Sequence, residues 1–130
     1  MRIYHTAFTV SNLKRSVSFY EKLFGLKSLF DGERPELGLK FTMLEDKSGG
    51  KLELMEFRKF KKIDKEHKDL KKVGIKHLAF AVDDIEKTFR EAPKMGARQI
   101  WPIKKGVTVN KIAFIADLGG IPIELAELNR

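Results

Sequence analysis

The chain has 130 residues, of which 42% are hydrophobic, and it carries a formal net charge of +8. This length predicts a single globular domain, 1–130, with a sizeable apolar core. The sequence contains no cysteine and no long apolar run, which excludes disulfides, thiolate metal sites and a membrane-spanning helix. The N-terminus lacks the apolar stretch of a secretory signal, and we therefore expect a cytoplasmic protein.

The first module, 1–60, is predicted to run strand, helix and then three strands. Ser11 or Asn12 is expected to cap the helix, and Gly25 to end it. A polar loop is predicted over 31–38. The predicted strands, from alternating and β-branched or aromatic residues, are 2–10, 26–30, 39–45 and 51–57.

A connector over 61–72 follows, and the stretch from Arg58 to Lys72 holds eight basic and three acidic side chains. Clustered Lys and Arg attract phosphates, so nucleic-acid binding has to be considered. No nucleic-acid motif accompanies the cluster, and we predict neither a nucleic-acid nor a membrane partner. The stretch is interpreted as a solvated connector; the alternative is a rim that attracts an anionic substrate.

The second module, 73–130, is predicted to repeat the order of the first. Asp83 or Asp84 is expected to cap its helix, and Gly96 to end it. Pro93 lies in the last turn, where proline removes a hydrogen bond, so we expect a kink or an early end. The predicted strands are 75–82, 98–101, 108–116 and 121–127.

The two modules place histidine and glutamate at matching points. His5 begins HTAFTV and His77, 72 positions later, begins HLAFAV; Glu53 and Glu124 are 71 positions apart. Each residue alone would more often be structural or solvated, but a duplicated His–Glu spacing is improbable by chance. We therefore predict one metal site, built between the modules from His5, Glu53, His77 and Glu124.

Side chains alternate between the two faces of a strand, which allows the surroundings of these residues to be predicted. His5, His77 and Glu124 share their faces with small residues, which indicates an open concavity rather than a filled core. Glu53 shares its face with Met55 and Phe57, which predicts an apolar wall. Trp101 is interpreted as core or pocket lining, His67 as exposed, and Glu56 and Glu127 as structural or solvated residues on the opposite faces.

Two imidazoles and two carboxylates suit a divalent first-row metal ion. A closed tetrahedron of these four ligands would be a structural zinc site, whereas an open arrangement would leave positions for water or substrate. A carboxylate beside a chelated substrate could then act as a base.

At these residues the chain resembles the vicinal oxygen chelate superfamily, which includes glyoxalase I, methylmalonyl-CoA epimerase, ring-cleaving dioxygenases and the fosfomycin- and bleomycin-resistance proteins. The likeness covers almost the whole chain. The resemblance implies an α+β fold in which two tandem βαβββ modules form an open, cup-like mixed sheet. It rests on HTAFTVSNLKRSVSFYEKLFGLK, KLELMEF, GIKHLAFAVDDIEKTF and IAFIADLGGIPIELAE.

The His-Glu-His-Glu set is similar to that of short microbial glyoxalase I, lactoylglutathione lyase. This resemblance implies that His5, Glu53, His77 and Glu124 bind one divalent ion, with nickel, cobalt or zinc expected. It implies that Glu124 and Glu53 are catalytic, with Glu124 isomerising a 2-oxo-aldehyde thiol adduct through a metal-bound enediolate. It also implies a small-molecule substrate, which we expect to be anionic, and a homodimer.

Other members of the superfamily give the alternatives. Methylmalonyl-CoA epimerase usually has Gln in place of Glu53, the dioxygenases and fosfomycin enzymes use three ligands, and the non-catalytic drug-binding proteins generally lack the set. Glyoxalase I differs from this chain at Thr9, where it has an Arg that helps hold glutathione, and at Phe57, where it has Asn. The identity of the thiol cosubstrate is therefore open. The basic connector or Lys104 and Lys105 are candidates for binding an anionic carrier.

Overall fold

The computed structural model describes residues 1–129. The chain divides into two compact units, of which the first is Met1–Lys61 and the second begins at Lys62, so the connector belongs to the second except for Lys61. We refer to these units as the first and second modules. Each contains one four-stranded sheet and one α-helix.

The first module has its elements in the predicted order of strand, helix and three strands. Its sheet has the order β1-β4-β3-β2, in which β1 and β4 are parallel and the other neighbours are antiparallel. A short 3-10 helix, Pro35–Leu37, connects β2 to β3. The elements are β1 (Thr6–Thr9), α1 (Leu13–Phe24), β2 (Lys27–Arg34), β3 (Leu39–Glu45) and β4 (Lys51–Phe57).

The second module repeats this topology, with the sheet order β5-β8-β7-β6 and a parallel pair formed by β5 and β8. The α+β fold with two tandem βαβββ modules is therefore confirmed. Short 3-10 helices occur at Lys65–Lys68 and Ala92–Met95. The elements are β5 (Leu78–Ala81), α2 (Ile85–Glu91), β6 (Arg98–Lys105), β7 (Lys111–Ala116) and β8 (Pro122–Glu127).

The structure selects one cap from each predicted pair at the start of the two helices. The side chain of Asn12 accepts a hydrogen bond from the backbone N–H of Arg15, and that of Asp84 accepts one from Lys87, at 3.0 Å each. The predicted early end of the second helix is confirmed, because α2 ends at Glu91 and Pro93 lies in the following 3-10 turn.

Several strand boundaries differ from the prediction. The first half of the predicted polar loop over 31–38 is strand, because β2 pairs with β3 as far as Arg34 opposite Leu39. β6 likewise extends to Lys105, and β7 begins only at Lys111. β2 and β6 are edge strands, whose polar side chains remain in solvent, so polarity does not prevent pairing there.

One face of each sheet packs against its own helix. In the first module α1 packs on β3 and β4, and Leu44, Leu52 and Leu54 are buried there. In the second, Ile115, Ile123 and Leu125 are fully buried beside α2. Glu53 and Glu124 alternate with these residues along their strands and therefore lie on the opposite faces. Within residues 1–129 the structure contains no helix with the length and apolarity needed to cross a membrane.

Candidate metal centre

The first predicted pair, His5 and Glu53, comes together within the first module. β1 and β4 are parallel neighbours, and their register places Ala7 beside Glu53. His5 precedes Ala7 by two residues, just before β1 begins. The distance between His5 Nε2 and Glu53 Oε1 is 3.9 Å, and the two side chains are 30% and 21% exposed. Both groups are thus close to each other and accessible from solvent.

Neighbouring side chains fix the surroundings of this pair. The ring of Tyr4 contacts the His5 ring edge-on, with 4.8 Å between the ring centroids. Lys51 lies two residues before Glu53 on β4, but its Nζ is 2.8 Å from a carboxylate oxygen of Glu45. The same ammonium group lies 5.7 Å from the centre of the Tyr4 ring. The nearest lysine on this strand is therefore paired with Glu45, and Glu53 faces the histidine.

The second pair occupies the matching position in the second module. β5 and β8 are parallel neighbours, and Ala79 lies beside Glu124. His77 precedes Ala79 by two residues, as His5 precedes Ala7. Its ring contacts Phe114 edge-on at 5.1 Å between centroids, and Phe114 is the cross-strand partner of Glu124 on β7. His77, Phe114 and Glu124 therefore share one region of the face opposite α2.

The chemistry of both pairs, and the spacing of the first, are compatible with a metal ion. Ligand atoms about 2.1 Å from a common ion are about 3 to 4 Å apart, and the 3.9 Å separation of His5 and Glu53 lies in this range. Imidazole and carboxylate ligands also suit first-row divalent ions. In the part of the chain that the structure describes, no group of three or more His, Asp or Glu side chains could hold a metal ion. The structure thus brings His5 and Glu53 together and places His77 and Glu124 at the matching register positions, and the four-residue set stays a prediction.

The small side chains predicted beside the histidines are where they were expected. Ala7, Thr9, Ala79 and Ala81 are exposed, whereas their neighbours of opposite parity are half-buried or buried. A large side chain at these alanines would cover the histidine side of each strand. The face that carries each His–Glu pair is therefore open along β1 and β5.

Two aromatic residues share the sheet faces that carry Glu53 and Glu124, which we call the ligand faces. From the sequence, Phe30 has no predicted role and Trp101 is interpreted as either core or pocket lining. Phe30 and Trp101 follow bulges in the edge strands β2 and β6 and pair with Met43 and Phe114, the partners of Glu53 and Glu124. They are 49% and 43% exposed, so Trp101 is not a core residue. Their 71-residue separation, the same as that of the two glutamates, is the sequence feature by which they could have been found.

Other predicted roles have mixed outcomes. His67 was predicted to be exposed, but it is half-buried and its Nε2 has no hydrogen-bond partner among the described residues. It lies in the 3-10 turn Lys65–Lys68, whose backbone Asp64 caps through the N–H of His67. Glu56 and Glu127 are structural, as expected: Glu56 accepts from the backbone of Leu13, and Glu127 accepts from the Asn110 side chain.

Comparison with known proteins extends over nearly the whole chain. Residues 2–125 match the family model of the Glyoxalase/Bleomycin resistance protein/Dioxygenase superfamily. The lactoylglutathione lyases of Haemophilus influenzae and Escherichia coli O157:H7 are 34% and 33% identical to the chain, over 98% of its length and 93% of theirs.

Solved structures give the same result. The chain is similar to a glyoxalase family protein from Enterococcus faecalis, with a TM-score of 0.78 and 27% identity over 97% of both chains. It is also similar to the trypanothione-dependent glyoxalase I of Leishmania major, with a TM-score of 0.76 and 25% identity. That match covers 98% of this chain and 86% of the other.

Proposed function

Because the chain belongs to the Glyoxalase/Bleomycin resistance protein/Dioxygenase superfamily, we propose that this glyoxalase-family enzyme is a metal-dependent lyase of the glyoxalase I type. The observation that carries the proposal is the equivalence of the two His–Glu pairs. In each module the glutamate lies on a strand face opposite the helix, and the histidine comes directly before the parallel neighbouring strand, two residues ahead of the alanine that pairs with the glutamate. Duplication of the pair favours shared use of all four side chains over two unrelated structural roles.

The proposed metal ligands are His5, Glu53, His77 and Glu124, two from each module. The ion is divalent, and nickel, cobalt and zinc are the candidates that fit imidazole and carboxylate donors. When bound, it would stabilise negative charge on the adjacent oxygens of the substrate as a Lewis acid. The 3.9 Å approach of His5 to Glu53 supports this assignment.

The proposed substrate is the adduct of a 2-oxo-aldehyde with a thiol. The carbon that bears sulfur loses its hydrogen as a proton, and the neighbouring carbonyl carbon gains one. The hydroxyl proton moves to the oxygen of the second carbon, and a thioester of a 2-hydroxy acid results. Atoms and electrons balance within the substrate, so the reaction requires no oxidant or reductant.

Glu124 is the proposed base that removes the proton from the first carbon and returns it to the second. It is half-buried on β8, and the fully buried Ile123 and Leu125 on either side hold the strand in place. A base fixed on a central, well-packed strand keeps its position while the proton is transferred. Glu53 is the matching carboxylate of the first module and the proposed partner in catalysis.

The test is formation of an absorbing thioester from methylglyoxal and a thiol. The protein is stripped with a chelator and then loaded with nickel, cobalt or zinc, and glutathione is compared with other thiols. We expect turnover only with metal. Glu124→Gln should lower kcat by about 10²- to 10⁴-fold, because a positioned base contributes this much.

Glu127→Gln is the matched control, since Glu127 lies on the same strand but on the helix side and hydrogen-bonds Asn110. It should retain activity. A Glu124→Gln protein as active as the wild type would contradict the proposed base. Epimerisation of a 2-methyl acyl-CoA, without thioester formation under any metal, would replace the lyase by the epimerase alternative.

We also propose that the protein works as a homodimer. The predicted mass of one chain is 14.9 kDa. Sedimentation of the metal-loaded protein should give twice this mass, and a single-chain mass at working concentration would contradict the dimer.

A further inference from the structure

An aromatic row leads away from His77 across the second sheet and ends at a lysine. The rings of His77 and Phe114 are 5.1 Å apart, and those of Phe114 and Trp101 are 5.0 Å apart, both in edge-on contact. Lys104 Nζ lies 5.4 Å from the centre of the Trp101 ring. An exposed cation over an exposed indole presents a positive charge beside a flat apolar surface.

The row lies at a distance from Glu124 that a carrier molecule can span. Glu124, Phe114 and Trp101 are cross-strand neighbours on β8, β7 and β6. Neighbouring strands are about 4.8 Å apart, so the Trp101 backbone is about 10 Å from that of Glu124. A substrate whose reacting carbons sit beside Glu124 would bring its remote end to Trp101.

Comparison of the two modules shows that the lysine is specific to the second. Phe30 is the counterpart of Trp101 in the first module, at the same register position and after a similar bulge. Gly32 occupies the position that matches Lys104, because Gly32 pairs with Phe41 and Lys104 pairs with Ile112, 71 residues further along the chain. The repeat therefore has an aromatic ring in both modules but a positive charge in only the second.

Lys104 and Lys105 face opposite sides of β6, which gives them different environments. Lys104 pairs with Ile112, whereas Lys105 pairs with Lys111 on the side of α2. Within residues 1–129 no carboxylate forms an ion pair with Lys104, so its charge is available to a ligand.

We propose that Trp101 and Lys104 form a subsite for the anionic, non-reacting end of the thiol cosubstrate. The apolar stem of the thiol lies on the indole ring, and its carboxylate or phosphate pairs with the Lys104 ammonium group. This inference rests on the proposed function, because the thiol adduct is its ligand. Carboxylates and phosphates are both oxyanions that pair with an ammonium group, and this is the chemistry that the subsite recognises.

Trp101 is the only tryptophan in the chain, so its fluorescence reports on this site alone. The metal-loaded protein is titrated with S-methylglutathione, which carries carboxylates, and with coenzyme A, which carries phosphates. Cysteamine, which is cationic and lacks an anionic group, is the control thiol. We expect saturable quenching with one or both anionic compounds, weakened by added salt, and none with cysteamine.

Lys104→Gln should raise Kd for the anionic compound roughly fivefold, as expected for loss of one exposed charge pair. Lys104→Arg should retain the affinity, and so should Lys105→Gln, whose side chain faces the helix side. Quenching by S-methylglutathione alone identifies a carboxylate, and quenching by coenzyme A alone identifies a phosphate; either supports the subsite. No quenching by either compound, or an unchanged Kd in Lys104→Gln, would overturn it.

Turnover separates the subsite from the proposed function. Trp101→Ala should raise KM for the thiol adduct while kcat changes little, because the subsite does not touch the reacting carbons. An active enzyme whose KM is unchanged in Trp101→Ala and Lys104→Gln refutes the subsite and leaves the lyase intact. Charge-selective quenching in a protein without lyase activity refutes the lyase and leaves an anion-binding site.

Discussion

Glu56 on β4 accepts a hydrogen bond from the backbone N–H of Leu13 at 2.8 Å, and this bond joins the first sheet to the start of α1. Leu13 is the first residue of the helix, where a backbone N–H has no partner within the helix. Glu53 lies three residues earlier on the same strand and faces the opposite side. One strand therefore carries a structural carboxylate on one face and a candidate metal ligand on the other.

We predict that Glu56→Ala lowers the free energy of unfolding by about 1 to 2 kcal/mol, the usual cost of losing a helix cap. Glu56→Gln should cost less, because its amide oxygen can still accept from Leu13. Urea unfolding of the metal-free protein measures both. Since Glu56 faces the helix, metal affinity should be unchanged in either variant; a Glu56→Gln protein that loses metal would contradict this division of the strand.

The converse is expected at Glu53. Glu53→Ala, which removes the ligand atom altogether, should change the stability of the metal-free protein little, because the side chain is partly exposed and only approaches His5. Metal should stabilise the variant much less than the wild type. A ligand at 100 times its Kd adds about 2.7 kcal/mol to the free energy of unfolding of the protein that binds it. Unfolding with and without nickel, cobalt or zinc measures this difference. Equal stabilisation of both proteins would remove Glu53 from the ligand set.

The alternation of side chains made this much of the fold predictable from the sequence. Leu52, Leu54 and Glu56 belong to one face of β4 by parity alone, and the register confirms that Glu53 belongs to the other. The same reasoning assigned Glu124 to the face of β8 opposite that of Ile123 and Leu125. The constant offset between the modules predicted which residues are equivalent, although it does not give distances between side chains.

Residues whose conformation depends on a distant partner could not be placed in this way. Asp31 to Arg34 were predicted as a loop because they are polar, but β3 supplies hydrogen-bond partners that the local sequence does not reveal. Thr42 on β3 donates a hydrogen bond to Asp31 at 2.7 Å, which further fixes this pairing. The strand is thus a product of the sheet rather than of its own composition.

The buried face of β4 should be far more sensitive to substitution than the ligand face. Leu54 is 0% exposed, and truncation of a buried leucine leaves a cavity. Leu54→Ala is therefore expected to lower the free energy of unfolding by about 2 to 5 kcal/mol. Met55→Ala, on the adjacent half-buried position, should cost less. Urea unfolding of both variants tests the assignment of faces, and a larger loss at Met55 would reverse it.

An ion pair away from the candidate metal centre gives the stability a defined pH dependence. Lys111 Nζ donates a hydrogen bond to Glu86 Oε1 at 2.6 Å, between β7 and α2. This bond lowers the pKa of Glu86 below its ordinary value of 4.5 and raises the pKa of Lys111 above 10.5. The Lys111 and Glu86 side chains are 39% and 51% exposed to solvent, so the contribution to stability is small.

The direction of the pH effect follows from these shifts. A carboxyl whose pKa is lowered on folding stabilises the fold above its unfolded pKa, and this stabilisation is lost as the pH falls through the folded pKa. We expect Glu86→Gln to be slightly less stable than the wild type at neutral pH, with the difference shrinking as the pH is lowered below 4.5. The raised pKa of Lys111 gives the mirror image: its stabilisation is present below 10.5 and lost as the pH rises through the folded pKa. Urea unfolding across this pH range measures the difference. The control introduces Glu86→Gln into the Lys111→Met variant, where it should lower the stability less because the ion pair is already absent. A difference that does not vary with pH would show that ionisation of the pair does not stabilise the fold.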